Sequence, residues 1–149
     1  MAKKTLLMSW PSLEASIRIE LFDDKAPTVA GRIWDALPFR SIQSHALITG
    51  PMLLATAPVL TLARENLKLY TEVEPGECLY GAGSQNLIIC YGALTEPEGA
   101  GVWGKVHAED MATLGEVGRR AWANLVAPYG NEDLNPLAKR NILVTCERM

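Results

Sequence analysis

Residues 17–38, IRIELFDDKAPTVAGRIWDALP, decide the fold of this chain. Ile17, Ile19 and Leu21 alternate with polar residues, which is the period of a half-buried strand. An acidic pair then turns the chain, and Pro27 stands where a helix tolerates proline, in its first turn. The apolar residues that follow at helical spacing are Val29, Ile33, Trp34 and Leu37. The stretch therefore predicts a strand, a turn and a helix that plugs one end of a sheet or barrel.

The rest of the chain consists of short apolar or alternating segments separated by glycine and proline turns. Residues 52–62 are predicted as a fully buried strand or a loop over the core, 111–125 as a second helix and 127–136 as a loop. The other predicted strands are residues 5–10, 41–49, 67–73, 78–80, 86–91, 102–107 and 141–146. No strand–helix–strand alternation occurs, so we expect residues 1–149 to form one antiparallel β-barrel domain with helical plugs.

The composition excludes several classes of function. The 149 residues are 48% hydrophobic and 21% charged, with a net charge of −3, and no basic run supplies a footprint for nucleic acid. No apolar segment is long enough to span a membrane or to act as a signal peptide. Three widely spaced cysteines suggest neither a disulfide framework nor a zinc motif. We expect a cytoplasmic protein with no metal and no organic cofactor.

Several stretches, taken in order, resemble the cyclophilin family. Residues 17–37 resemble its first strand, turn and helix, and residues 45–54 resemble its next strand. Residues 83–90 contain a Gly-Ser-Gln strand, and 103–106 (WGKV) match a Phe-Gly-Lys-Val strand. Residues 141–146 fall where the last strand of the family lies. The resemblance implies a mainly β fold, a closed eight-stranded antiparallel barrel capped by two helices.

The catalytic and groove residues of the prolyl isomerases in this family are absent. Ala46 stands at the arginine position, Pro51 at the phenylalanine position and Leu54 at the glutamine position, while Ala100 replaces the groove histidine. Isomerisation needs a donor such as that arginine to stabilise the pyramidal proline nitrogen. Because alanine supplies no donor, we do not expect prolyl isomerase activity.

The chain also resembles small, divergent bacterial cyclophilin-like proteins related to cucumopine synthase. In that enzyme a cyclophilin-like domain condenses an amino acid with a 2-oxo acid through an imine. The resemblance implies a groove on the barrel that binds or transforms a small carbonyl, carboxylate or amide compound, and it leaves open whether a substrate is turned over. A non-catalytic peptide-binding module and a weak prolyl isomerase are the alternatives.

The candidate catalytic residues are His45, Glu96 and Tyr80. Imidazole titrates near neutrality, so His45 could move a proton, or it could be a structural histidine bonded to a backbone carbonyl. Glu96 lies in a loop that borders the expected groove and would act as a base if its pocket raised its pKa; otherwise it is solvated. Tyr80 and Tyr91 are expected to flank one turn and to donate phenol hydrogen bonds at the groove rim, unless they are buried tyrosines with one polar contact.

The candidate ligand-binding residues are Gln85, Asn86 and Tyr91. The two amides could orient a carboxylate or carbonyl, or only satisfy backbone groups at the barrel end. Cys90 lies in an apolar strand and is expected to be inert. Trp34, Trp103 and Trp122 are predicted to lie in the core. We expect a small-molecule ligand, no nucleic-acid or membrane partner, and a homo-oligomer whose interface involves Trp10 and residues 52–62.

Overall fold

The computed structural model describes residues 2–126 and 141–149, so the predicted loop at 127–136 lies outside the described residues. Nine strands and two helices occur in this part of the chain, joined by turns and three short 3₁₀ segments. They are β1 (Thr5–Trp10), β2 (Ala15–Leu21), α1 (Pro27–Ala36), β3 (Phe39–His45), β4 (Met52–Thr56), β5 (Leu67–Leu69), β6 (Glu77–Gly81), β7 (Asn86–Cys90), β8 (Gly99–Val106), α2 (Met111–Val126) and β9 (Ile142–Arg148).

Eight of these strands form a closed ring in the order β2-β1-β9-β3-β4-β7-β6-β8. The ring closes where β8 returns to β2, with Ile19 opposite Val106 and Leu21 opposite Gly104. Every pair is antiparallel. The predicted mainly β, closed eight-stranded antiparallel barrel is confirmed, and β5 is a ninth strand that joins β8 outside the ring.

The two helices mark the two ends of the barrel. At the α1 end, the Arg148 guanidinium donates to the carbonyl of Trp34. At the α2 end, Asp110, which precedes the helix, accepts hydrogen bonds from Arg18. Helix α1 begins at Pro27, as predicted, and α2 packs mainly on β2 and β3. Neither described helix is long and apolar enough to cross a membrane.

The barrel interior corrects two tryptophan predictions. Trp10 is completely buried, and its Nε1–H donates to Oε1 of Gln43 over 2.9 Å, so it is no surface interface residue. Trp122, predicted to be core, is 40% exposed. Trp103 is fully buried as predicted, and Trp34 is half-buried. Trp10 faces inward because it alternates with Leu6 and Met8 on one face of β1.

A second apolar cluster lies apart from the main core and involves three of the four positions compared above with prolyl isomerases. Ala46 and Met52 are buried there beside Val73 and Leu94. Leu54, Ala100, Phe22 and Tyr70 pack against the same cluster. The predicted buried segment 52–62 ends as a strand at Thr56, and its later part is not fully buried. The exposed side chains of that part are Leu60 and Leu62, at 67% and 83%.

Candidate functional site at the α2 end of the barrel

His45, the last residue of β3, is held by hydrogen bonds at both ring nitrogens. Its Nδ1 lies 2.7 Å from the carbonyl oxygen of Ala46, and its Nε2 lies 2.5 Å from Oη of Tyr91. Because a carbonyl oxygen only accepts, Nδ1 carries the proton of the neutral ring. Nε2 is then the acceptor for the Tyr91 hydroxyl. One phenol proton therefore lies between Tyr91 and His45.

The surroundings keep both members of this pair neutral at neutral pH. Burial lowers the pKa of His45 below its ordinary 6.5, and the hydrogen bond to the Ala46 carbonyl opposes this only in part. Burial also raises the pKa of Tyr91 above its ordinary 10, against the opposing charge of Arg119. A neutral imidazole that accepts a hydrogen bond from a neutral phenol can take up the phenol proton directly. Neither group first has to exchange a proton with solvent.

Helix α2 supplies the wall of the site. A Cβ on Gly118 would fall 2.4 Å from Cζ of Tyr91, so only glycine lets this ring lie against the helix. One turn further, the Trp122 ring packs edge-on to His45, with centroids 5.2 Å apart. Trp122 thus presents its exposed part beside a buried histidine. The sequence pattern indicated no role for Gly118, and the helical period misplaced Trp122 in the core.

Helix α2 also carries an ion pair between Arg119 and Glu116. Arg119 is exposed, and its Nη2 donates to Oε2 of Glu116 over 2.8 Å. Its charge acts on Tyr91 and favours the ionised phenol. The α2 end therefore combines four chemical groups: a phenol, an imidazole, an exposed indole and a guanidinium, from Tyr91, His45, Trp122 and Arg119.

Three of the predicted site residues lie at the opposite end. Tyr80 Oη donates to the carbonyl of Val59 over 2.6 Å, and Gln85 Nε2 donates to the same oxygen over 3.2 Å. Asn86 bonds to Thr56 and Ser84 on the surface. Tyr80 pairs with Leu87 near the start of β7, whereas Tyr91 follows its last residue. The two tyrosines do not flank one turn; the five residue steps from 86 to 91 separate the two groups by about 17 Å.

Glu96 lies at the α2 end but is not joined to the pair. Its Oε2 accepts a hydrogen bond from Thr49 Oγ1 over 3.3 Å. Its charge contributes to raising the pKa of Tyr70, after the larger effect of burial. Within the described residues, no hydrogen bond links Glu96 to His45 or Tyr91. Of the six predicted site residues, only His45 and Tyr91 are joined by a direct side-chain hydrogen bond.

The cysteines and acidic residues do not form a reactive cluster. Cys78, Cys90 and Cys146 are free and buried. Burial raises the pKa of Cys90 to about 12, so its sulfur stays a thiol, as the inert assignment predicts. Across residues 2–126 and 141–149, no three His, Cys, Asp or Glu side chains are grouped to hold a metal ion.

One of the solved structures similar to this barrel is a complex with a small molecule. No protein-family model matches the chain, and no curated protein sequence does. The structure of McbB in complex with tryptophan superposes with a TM-score of 0.82 at 27% identity. This chain is similar to McbB. The match covers 96% of this chain but 44% of McbB, so the chain spans less than half the length of McbB.

A second solved structure shares the fold alone. It is the solution structure of the hypothetical protein AF2241 from Archaeoglobus fulgidus, with a TM-score of 0.63 and 20% identity. The match covers 99% of this chain and 95% of AF2241. A protein of nearly the same length therefore folds into a related barrel.

Proposed function

We propose that this chain binds a small amino, carbonyl or carboxylate compound at the α2 end, where His45 and Tyr91 move a proton on the ligand. The observation that carries the proposal is the 2.5 Å hydrogen bond between Nε2 of His45 and Oη of Tyr91. His45 is buried, so Tyr91, which is partly exposed, is the member that touches the ligand. Glu96 remains a candidate second base from the neighbouring loop.

The proton transfer follows from the tautomer of His45. A ligand N–H, O–H or acidic C–H gives its proton to Oη of Tyr91 while the phenol proton passes to Nε2 of His45. The imidazolium that results is stabilised at Nδ1–H by the Ala46 carbonyl. Reversal returns the proton to the ligand or to a leaving group. A general acid–base of this kind contributes about 10²–10⁴-fold to a rate.

The wall of the site favours an aromatic amino acid or a compound of similar size. The exposed part of the Trp122 side chain suits a planar ring or amide, and the Arg119 guanidinium suits a carboxylate. Tryptophan, the ligand named with McbB, carries a ring, an amine and a carboxylate. The similarity to McbB over 96% of this chain supports a ligand of that class.

The second apolar cluster argues against prolyl isomerase activity. Three of the four positions compared with prolyl isomerases lie in or against the cluster that contains Val73 and Leu94; they are Ala46, Leu54 and Ala100. Ala46, at the position of the catalytic arginine, is buried in the same cluster and has no donor. We therefore propose a small-molecule protein without isomerase activity. Buried, free cysteines suit a reducing compartment, and we propose a bacterial cytoplasm.

Binding is tested by calorimetric titration of the whole chain with L-tryptophan, 2-oxo acids, small cyclic amides and proline peptides. We expect binding of L-tryptophan or one of the small acids or amides, accompanied by a change in the ¹⁵N shift of His45 Nε2. Tyr91→Phe removes the ligand contact and should weaken binding about tenfold. Tyr80→Phe, the matched loss of a phenol at the other barrel end, should leave affinity unchanged.

Two results would contradict the proposal. Binding of proline peptides alone, with no small acid, amide or amino acid, would make the chain a peptide-binding module. An affinity reduced by Tyr80→Phe and not by Tyr91→Phe would move the site to the α1 end. Turnover is tested by incubating L-tryptophan with a 2-oxo acid and following condensation by mass spectrometry; His45→Gln should lower any such rate at least about 100-fold.

A further inference from the structure

Helix α2 has two glycines one turn apart, and the Tyr91 ring covers the second of them. Gly118 lies under this ring, whose nearest atom is Cζ, the carbon that carries the hydroxyl. At Gly115, the described part of the chain puts a single side-chain atom within 4 Å of a Cβ, which is Nη1 of Arg119 at 3.6 Å. Residues three apart on a helix are about 5–6 Å from each other. The space beside Gly115 is therefore open and lies next to the hydroxyl end of Tyr91.

The guanidinium of Arg119 turns one of its edges towards this open space. Nε and Nη2 both donate to Oε2 of Glu116, at 3.3 and 2.8 Å. Nη1, the nitrogen nearest to Gly115, donates to no acceptor in residues 2–126 or 141–149. A guanidinium has more N–H donors than one carboxylate oxygen uses, and it binds carboxylates along its planar edges. Glu116 thus holds one edge, while the N–H groups of Nη1 remain available beside Gly115.

We propose that Gly115 and Arg119 form the seat of the ligand carboxylate, so that the ligand lies along α2 with its apolar part at Trp122. This inference rests on the proposed function and deepens it, because it fixes which way round the ligand binds. Gly115, Gly118 and Trp122 follow one another at three and four positions, which places them on one face of the helix. The face spans about 10 Å at about 1.5 Å per residue. The carboxylate seat, the Tyr91 hydroxyl and the indole therefore come in that order along the helix.

Gly115 determines specificity in this arrangement because any side chain there would occupy the seat. A Cβ alone would already touch Nη1 of Arg119, and a longer side chain would lie between the guanidinium and the ligand. The described residues offer no other side-chain contact to such a group, so the fold accommodates it. A helix also favours leucine over glycine. Gly115→Leu should therefore raise the free energy of unfolding while it weakens the binding of carboxylates, a combination that a purely structural glycine would not produce.

The inference is tested by calorimetric titration of the full chain with L-tryptophan and with tryptamine, which is the same compound without the carboxylate. Wild type should bind L-tryptophan at least about tenfold more tightly than tryptamine. Gly115→Leu and Arg119→Gln should each weaken L-tryptophan by about tenfold, and neither should weaken tryptamine. Arg120→Gln is the matched control, because it removes the same charge from a side chain that lines a different pocket, with Leu13 and Glu14. It should change neither affinity by more than about twofold.

The outcomes separate this inference from the proposed function. If L-tryptophan binding is weakened by Tyr91→Phe but not by Gly115→Leu or Arg119→Gln, the site stands and the proposed orientation is wrong. Equal affinities of wild type for the two compounds would also overturn the carboxylate seat. If neither compound binds, or if Tyr91→Phe has no effect, the proposed function fails and the seat fails with it. Urea unfolding of Gly115→Leu shows that a loss of binding is not a loss of folding, since this variant should be at least as stable as wild type.

Discussion

Gly118 and Tyr91 are in a contact that leaves no room for a single additional carbon. A Cβ on Gly118 would lie 2.4 Å from Cζ and 2.5 Å from Cε1 of the tyrosine ring. That ring carries the hydroxyl that donates to His45. The position of the Tyr91–His45 hydrogen bond therefore depends on a glycine in the middle of a helix, where glycine is otherwise unfavourable.

We expect Gly118→Ala to destabilise the protein and to break the pair. Alanine is favoured over glycine in a helix by about 1 kcal/mol, but displacing the Tyr91 ring costs about 1–3 kcal/mol. Urea unfolding should show a net loss of about 1 kcal/mol, and the ¹⁵N shift of His45 Nε2 should move. Gly115→Ala is the control: its Cβ would meet only Arg119, at 3.6 Å, so it should stabilise the helix. Stabilisation by both variants would contradict the contact.

The lowered pKa of His45 predicts how stability depends on pH. Because the folded state holds this pKa below the unfolded 6.5, the unfolded chain binds more protons in the interval between the two values. The stabilisation is present above pH 6.5 and is lost as the pH falls through the folded pKa. Urea unfolding between pH 5 and 8 should show stability rising with pH, with a smaller slope in His45→Gln. If His107→Gln reduced the dependence of stability on pH as much as His45→Gln does, that dependence could not be assigned to His45.

Gln43 is expected to be a major stabilising residue inside the barrel. Its side chain accepts from Trp10 and donates to the carbonyls of Ser44 and Leu54. Gln43→Leu leaves the buried Trp10 N–H without an acceptor and should cost about 1–3 kcal/mol in urea unfolding. In the Trp10→Phe background no indole N–H remains, so the same substitution should cost less. Equal costs in the two backgrounds would show that the Trp10 hydrogen bond contributes nothing.

Glu65 caps helix α1 from a distant loop. Its carboxylate accepts from the backbone N–H groups of Thr28 and Val29, and its hydrogen bonds with Thr28 lower its pKa below the ordinary 4.5. This stabilisation is present above pH 4.5 and is lost as the pH falls through the folded pKa. Glu65→Gln should lower Tm at pH 7, and the difference should shrink towards pH 3. Glu14→Gln, at an exposed glutamate, should have little effect at either pH.

Periodicity and turn residues predicted most of the fold. The strand at 17–21 and the proline-started helix after it follow directly from the spacing of apolar residues and from Pro27. The pattern of strands and turns predicted an antiparallel barrel, and the order of motifs that resembles cyclophilins predicted its closed, eight-stranded form. The short β5, with only three residues, was predicted to continue to residue 73 because alternation persists where the chain turns into a 3₁₀ segment.

The candidate site was only partly predictable. Tyr80, Gln85 and Tyr91 are close in sequence, but antiparallel pairing of β6 with β7 places the first two at the α1 end and the third at the α2 end. Trp122 lies one position beyond the buried stripe of α2, at Leu114, Val117, Gly118 and Ala121, and therefore emerges at its margin. A shift of one position along the helix therefore separates a core residue from a residue of the candidate site. Hydrophobic pattern alone does not resolve that difference.

The position of β9 has a consequence for how the barrel folds. Strand β9 lies between β1 and β3, so two of the ring's eight pairings join residues that are far apart in the sequence, such as Leu6 with Arg148 and Phe39 with Cys146. Pairings between such distant residues are slow to form, typically within milliseconds to seconds for β-barrels. Until β9 pairs, β1 and β3 both expose an unpaired edge. The ring therefore cannot close through local hairpins alone.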